Sequence, residues 1–92
     1  MIRSFRCVET QSLFETGDSR CFVGILTAAT RKLTQLDNAV ELRDLASPPG
    51  NRLEALKGDR GGQHSIRIND QFRLCFVWTS DGPHQVEIVD YH

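Results

Sequence analysis

The sequence predicts an α+β fold with its helices gathered on one face of a mostly antiparallel sheet. Three observations carry that reading. Apolar residues in the first half recur at helical period. Those in the second half alternate at strand period. Polar, glycine- or proline-containing turns separate the alternating runs. The 92 residues suffice for one domain, read here as 1–92.

The elements follow in order. Ile2 to Phe5 reads as a short first strand, and Thr10 to Thr16 as a short helix with Leu13 and Phe14 inward and Gly17 as its stop. The strongest helix signal runs from about Cys21 to Leu36. Phe22, Ile25, Leu26, Ala29, Leu33 and Leu36 form one apolar stripe, with Arg31, Lys32 and Gln35 beside it. Asp18 or Ser19 would cap its start. Asn38 with Glu41 resembles a capping box for a helix over Ala39 to Leu45, which Ser47-Pro48-Pro49-Gly50 would end. Strands are then expected over Arg52 to Leu56, Ser65 to Ile68, Phe72 to Trp78 and Gln85 to Tyr91. The loop Lys57 to Gly62 follows the first of them, and a turn at Asp81-Gly82-Pro83 precedes the last.

The hairpin between the second and third of these strands admits a register argument. A two-residue turn would set Ile66 against Arg73 and mix the faces. A three-residue loop, Asn69-Asp70-Gln71, pairs Ile68 with Phe72 and Arg67 with Arg73, and keeps the apolar residues together. Two arginines then lie side by side on the face away from the apolar set. Both can point to water, or an anion such as phosphate can sit between them.

Charge and composition exclude several classes. Hydrophobic residues make up 39% and charged residues 25%, ordinary for a globular protein. The net charge of −1 speaks against a non-specific nucleic-acid binder, although Arg52, Lys57, Arg60, Arg67 and Arg73 outnumber Glu54, Asp59 and Asp70 in one region. No apolar run reaches a membrane span, and Met1 to Arg6 has no secretory h-region, so no membrane partner and a cytoplasmic location are expected. Cys7, Cys21 and Cys75 show no metal-ligand spacing and read as reduced thiols. Three histidines without a ligand pattern give no metal site, and Gly61-Gly62 is not a phosphate-binding loop. No cofactor is expected. Trp78 reads as core or edge packing, with base stacking as the alternative. The chain ends in Asp90-Tyr91-His92, where a terminal histidine is either solvent-exposed or placed for proton transfer near neutral pH.

Several segments carry a resemblance. Leu56-Lys57-Gly58-Asp59-Arg60 is similar to an L-K-G-D/N-R loop. Ser65-Ile66-Arg67-Ile68-Asn69-Asp70-Gln71-Phe72-Arg73-Leu74-Cys75-Phe76 is similar to an S-I-R-V-N-x-x-W/Y-R-I-x-F hairpin. Asp90-Tyr91-His92 matches a D-Y-H ending, and Met1 to Phe5 also fits. In this order and spacing they resemble the HigB toxins of the RelE-like superfamily, over nearly the whole chain. The resemblance implies a compact microbial-ribonuclease-like fold and cleavage of messenger RNA in the ribosomal A site. It implies a HigA-type helix-turn-helix antitoxin as partner, with operator DNA met only through that antitoxin.

By position, Lys57, Arg73, Asp90, Tyr91 and His92 match family positions tied to activity. Glu54 stands where some relatives have histidine, so a base role there is either taken by the carboxylate or lost. The expected chemistry is metal-independent attack by the RNA's own 2′-hydroxyl. Arg73 and Lys57 would hold the phosphate with help from Arg67. His92 would serve as acid or base, Asp90 would orient it or the RNA, Tyr91 would stack or hold the backbone, and Glu54 is the reserve base. The rival readings are a non-enzymatic protein-interaction module and a ribonuclease that acts without the ribosome.

Overall fold

A computed structural model describes residues 1–90; Tyr91 and His92 lie outside the described residues. Helix α1 spans Val8–Thr16 and helix α2 spans Leu26–Asn38. Four antiparallel strands follow: β1 Glu54–Ala55, β2 His64–Arg67, β3 Phe72–Thr79 and β4 Gly82–Asp90, in the spatial order β1-β2-β3-β4. This is the α+β architecture expected, with both helices packed on one sheet face.

The core explains the packing. Ala29, Leu33 and Leu36 of α2 and Leu13 of α1 are fully buried against Ile66, Leu74, Phe76 and Val86. Burying each large side chain contributes about 1.5–3 kcal/mol, so this interlock carries much of the domain's stability. Phe14 packs partly buried on the same cluster. Gly17 stops α1 in a left-handed conformation (φ 79°), its N–H bonded to Leu13 O, as expected of a C-terminal glycine.

The hairpin register is the one the apolar pattern requires. Ile66 pairs with Leu74 and Arg67 with Arg73, and the Ile68 N–H bonds Phe72 O at 3.0 Å. The β3–β4 turn is one residue earlier than expected. Thr79 pairs with Gly82 across Ser80 and Asp81, and Pro83 already lies in β4. Gly82 holds φ 123°, and a Cβ there would sit 2.6 Å from Met1 O, so the crossing of the N-terminal segment requires glycine.

Four expectations need correction. Ile2 to Phe5 forms no full strand. It is an extended segment with one parallel bridge, Phe5 to Val86. Together with Thr10 it still covers the outer edge of β4. Val86 N–H bonds Ser4 O, Arg6 N–H bonds Val86 O, and Ile88 N–H bonds the buried Thr10 hydroxyl, so that edge is not open for pairing. The long helix begins later than Cys21, with a 3-10 turn at Val23–Ile25, and neither Asp18 nor Ser19 caps it. The Ser19 hydroxyl instead donates to Glu9 of α1.

The segment after α2 is a 3-10 turn, Leu42–Ala46, and not an α-helix over Ala39 to Leu45. Its capping box is Glu41 with Asp44, because Asn38 still belongs to α2. Backbone N–H bonds from Glu41 and Val40 hold the Asp44 carboxyl below its ordinary range. Lastly, β1 has two residues where five were expected. Arg52 ahead of it is left-handed (φ 46°), and Gly58 after it has φ 66°. Neither conformation continues a strand.

Candidate functional site

The sheet face turned away from the helices carries the polar residues. Strand alternation puts Glu54, Ser65, Cys75 and Glu87 in one row across all four strands, because Glu54 pairs with Ser65, Ser65 with Cys75 and Cys75 with Glu87. One step along, Arg67, Arg73 and Val89 form a second row.

Arg73 is the best-anchored cation on this face. Its side chain is only 11% exposed. Nε donates to Ser65 Oγ at 2.7 Å, and Nη2 donates to the Arg52 carbonyl at 2.7 Å and to Ser65 O at 3.4 Å. Glu54 Oε1 lies 3.6 Å from Nη2, with its own side chain 49% exposed. A guanidinium held by several acceptors in a fixed plane is preorganised to meet two oxygens of an anion such as phosphate.

Arg67 lies opposite Arg73 but turns elsewhere. It pairs with Asp70 of the hairpin loop. The adjacent arginines thus face different carboxylates, Asp70 and Glu54, which relieves the like-charge contact.

Lys57 follows β1 and is exposed. It lines a shallow depression with Glu54, Ala55 and Leu56. The 3-10 turn Gly58–Arg60 behind it is tied to β4: Arg60 Nη1 donates to Glu87 Oε1 at 2.8 Å and to Gln63 Oε1 at 3.2 Å. Between the two arginine–glutamate pairs sits the fully buried Cys75. Burial pushes its thiol up, with opposing influences from Arg60 and Arg73 and reinforcing ones from Glu87 and Glu54. The thiol is therefore protonated and unreactive near neutral pH.

Asp90 ends β4 opposite Phe72, the neighbour of Arg73, and its Oδ2 accepts Gln71 Nε2 at 3.0 Å. Alternation sets it on the side of Ile88, as expected, and so across the strand from Val89 and the Arg73 row. The Tyr91 and His92 expectations lie outside the described residues. Glu54 contacts Arg73 and lines the depression that also holds Lys57; Arg67 lies beside Arg73 on the same face, and Asp90 is on the opposite one.

Sequence reasoning missed four contributors. Ser65 was legible in principle, since the register that pairs it with Cys75 also sets it diagonal to Arg73. The Arg52 carbonyl has no local signature. Arg60 and Glu87 lie far apart in the chain. No group of three or more potential metal ligands occurs among the described residues, and no helix among them is long and apolar enough to cross a membrane.

Trp78 packs partly buried against the core cluster. His64 stacks on Phe76, with ring centroids 6.3 Å apart, and its Nδ1 is buried without a hydrogen-bond partner among the described residues.

Comparison with known proteins adds to this geometry. Residues 3–92 match a family model described as the RelE-like toxin of type II toxin-antitoxin system HigB. Toxin HigB-1 of Vibrio cholerae is 47% identical over 68 residues, covering 74% of this chain and 70% of that protein. Endoribonuclease HigB of Proteus vulgaris is 30% identical over 93 residues, the full length of both. An uncharacterised protein of Haemophilus influenzae is 30% identical over 70 residues, covering 74% of this chain and 69% of that protein.

Proposed function

Because the chain belongs to the HigB-like family of RelE-like toxins of type II toxin-antitoxin systems, we propose that it is an endoribonuclease that cleaves messenger RNA in the ribosomal A site and so stops translation. The observation that carries this reading is the Arg73 guanidinium, fixed by Ser65 and the Arg52 carbonyl beside Glu54, with Lys57 on the neighbouring wall. The endoribonuclease name of the Proteus vulgaris relative supports it.

The reaction is an internal phosphoryl transfer. The 2′-oxygen attacks the adjacent phosphorus, a base takes the 2′-proton, and the P–O5′ bond breaks as an acid protonates the leaving oxygen. The fragments end in a 2′,3′-cyclic phosphate and a 5′-hydroxyl. Charge grows on the non-bridging oxygens in the transition state. Preorganised cations are worth most there, because they need no reorganisation as the reaction proceeds. Arg73 and Lys57 take that role, with Arg67 at the border. The RNA supplies its own nucleophile, so the scheme is metal-independent and uses no cofactor.

His92 acts as the acid or the base and Asp90 orients it or the RNA, with Tyr91 stacking on a base or holding the backbone. Glu54 is the alternative base: its carboxylate is half exposed and faces the cation that would bind the phosphate. The net charge of −1 suits an enzyme whose substrate is presented by the ribosome and not gathered by long-range attraction. The chain acts as one domain in the cytoplasm, where a HigA-type helix-turn-helix antitoxin neutralises it and brings it to operator DNA.

Induced expression in bacterial cells tests the assignment. His92→Ala and Arg73→Ala should each abolish growth arrest while purified protein remains folded by circular dichroism. Full toxicity in both variants would refute the site.

A further inference from the structure

We propose that Asn51 and Arg52 position Arg73, and that Arg52 does so through its carbonyl oxygen and not through its charge. The inference rests on the reading of Arg73 as the phosphate-binding cation.

Asn51 is fully buried, which is costly for an amide unless its hydrogen bonds are made. They are made to several segments. Nδ2 donates to Gln35 Oε1 at 3.1 Å, to Leu45 O at 3.1 Å and to Ser47 O at 3.3 Å, while Oδ1 accepts from Lys32 Nζ. Gln35 also bonds Ser47 O at 2.6 Å. Two residues of α2 therefore grip the 3-10 turn Pro49–Asn51 through one side chain.

The next residue, Arg52, is held at φ 46° and ψ 53°, its N–H bonded to Pro49 O at 3.1 Å. Glycine and asparagine favour this conformation; arginine has no such preference, so the surrounding bonds must impose it. The conformation aims the Arg52 carbonyl at Arg73 Nη2, 2.7 Å away. The Arg52 side chain itself is exposed and takes no hydrogen bond or ion pair among the described residues. Ser65 restrains one side of the guanidinium at Nε, and the Arg52 carbonyl restrains its far end. The carbonyl makes the shortest contact at that end, where Ser65 O at 3.4 Å and Glu54 Oε1 at 3.6 Å also lie, so losing it loosens the orientation of the guanidinium plane.

Substitution at Arg52 separates backbone from charge. Arg52→Gly and Arg52→Asn keep the left-handed conformation and remove the charge; Arg52→Val disfavours it through its β-branch. Two readouts are needed. The first is the exchange rate of the Arg73 Nη2 proton that faces the Arg52 carbonyl, in ¹⁵N-edited NMR spectra of the purified chain. The second is single-turnover cleavage of messenger RNA on programmed ribosomes, with rate and half-saturation measured separately.

Glycine and asparagine should leave the Arg73 proton protected and the saturated rate within about threefold of wild type, any effect of lost charge falling on half-saturation. Valine should expose that proton and slow the saturated rate by about tenfold to a hundredfold, the cost of misplacing a catalytic group, with an unchanged far-UV circular dichroism spectrum. The proposal is overturned if valine behaves as glycine does, or if glycine and asparagine are as slow as valine. If the wild-type chain leaves ribosome-bound RNA intact, the functional reading fails and the Arg73 proton alone decides the positioning claim. Asn51→Ala should act like Arg52→Val, but it also strands buried partners, so the Arg52 series carries the test.

Discussion

Replacing Arg73 with lysine keeps one positive charge and removes the planar fork. The structure sets the size of the loss. Arg73 makes two 2.7 Å bonds, from Nε to Ser65 Oγ and from Nη2 to the Arg52 carbonyl, on a side chain only 11% exposed. An ammonium group can reach one of these acceptors but not span both. Each bond from a charged donor is worth about 1.5–3 kcal/mol. The Glu54 contact adds less than about 1 kcal/mol, since that carboxylate is half exposed and regains water. Arg73→Lys should therefore destabilise the fold by about 2 kcal/mol. In a domain of this size that lowers Tm by about 10 °C. Urea denaturation and thermal melts followed by circular dichroism measure both quantities. Arg67→Lys is the internal control: its partner Asp70 is 99% exposed, and the change should stay within about 0.5 kcal/mol. If Arg73→Lys costs no more than Arg67→Lys, the guanidinium is not held as described, and the argument for a preorganised phosphate site goes with it.

Glu54→Gln separates base chemistry from pairing. Stability should change by less than about 1 kcal/mol, and a carboxylate base would show as a loss of cleavage rate of about a hundredfold or more; an unchanged rate removes Glu54 from the mechanism. Thiol alkylation should proceed in the order Cys21, Cys7, Cys75, following their exposed, intermediate and buried positions, and early modification of Cys75 would contradict the packing. Because burial raises the Cys75 thiol above its unfolded value, its contribution to stability is complete below about pH 8.5 and is lost as pH rises through the higher folded value. Urea midpoints of wild type and Cys75→Ser should converge or change slope only in that alkaline range. Gly82→Ala should destabilise by more than about 1 kcal/mol, since its Cβ would meet Met1 O at 2.6 Å; a neutral result in the same urea assay would mean the N-terminal crossing is not where the structure puts it.

How much of this was legible in the chain differs by element. The β2–β3 register followed from Ile66, Ile68, Phe72 and Leu74 alone, because only one loop length keeps all four on one face, and that register set Arg67 opposite Arg73. The stripe Ala29, Leu33 and Leu36 named the face of α2 that is buried. Helix starts were less legible. Ser19 was a reasonable cap by type, but its hydroxyl goes to Glu9, a partner supplied by another helix. The anchoring of Arg73 was least legible, since it depends on a left-handed arginine held by a buried asparagine that α2 grips from a distance. No local propensity encodes that arrangement. The candidate roles of Lys57, Asp90, Tyr91 and His92 rest on motif resemblance, because short motifs carry a residue's position and not its partners.

Primer extension on messenger RNA from a translating system is the most direct measurement of the central claim. Adding the purified chain should create new 5′ ends within codons at the A site while ribosome-free RNA stays intact, and Arg73→Ala should produce none at equal concentration. New ends that appear equally on ribosome-free RNA, or undiminished ends with Arg73→Ala, would contradict the account.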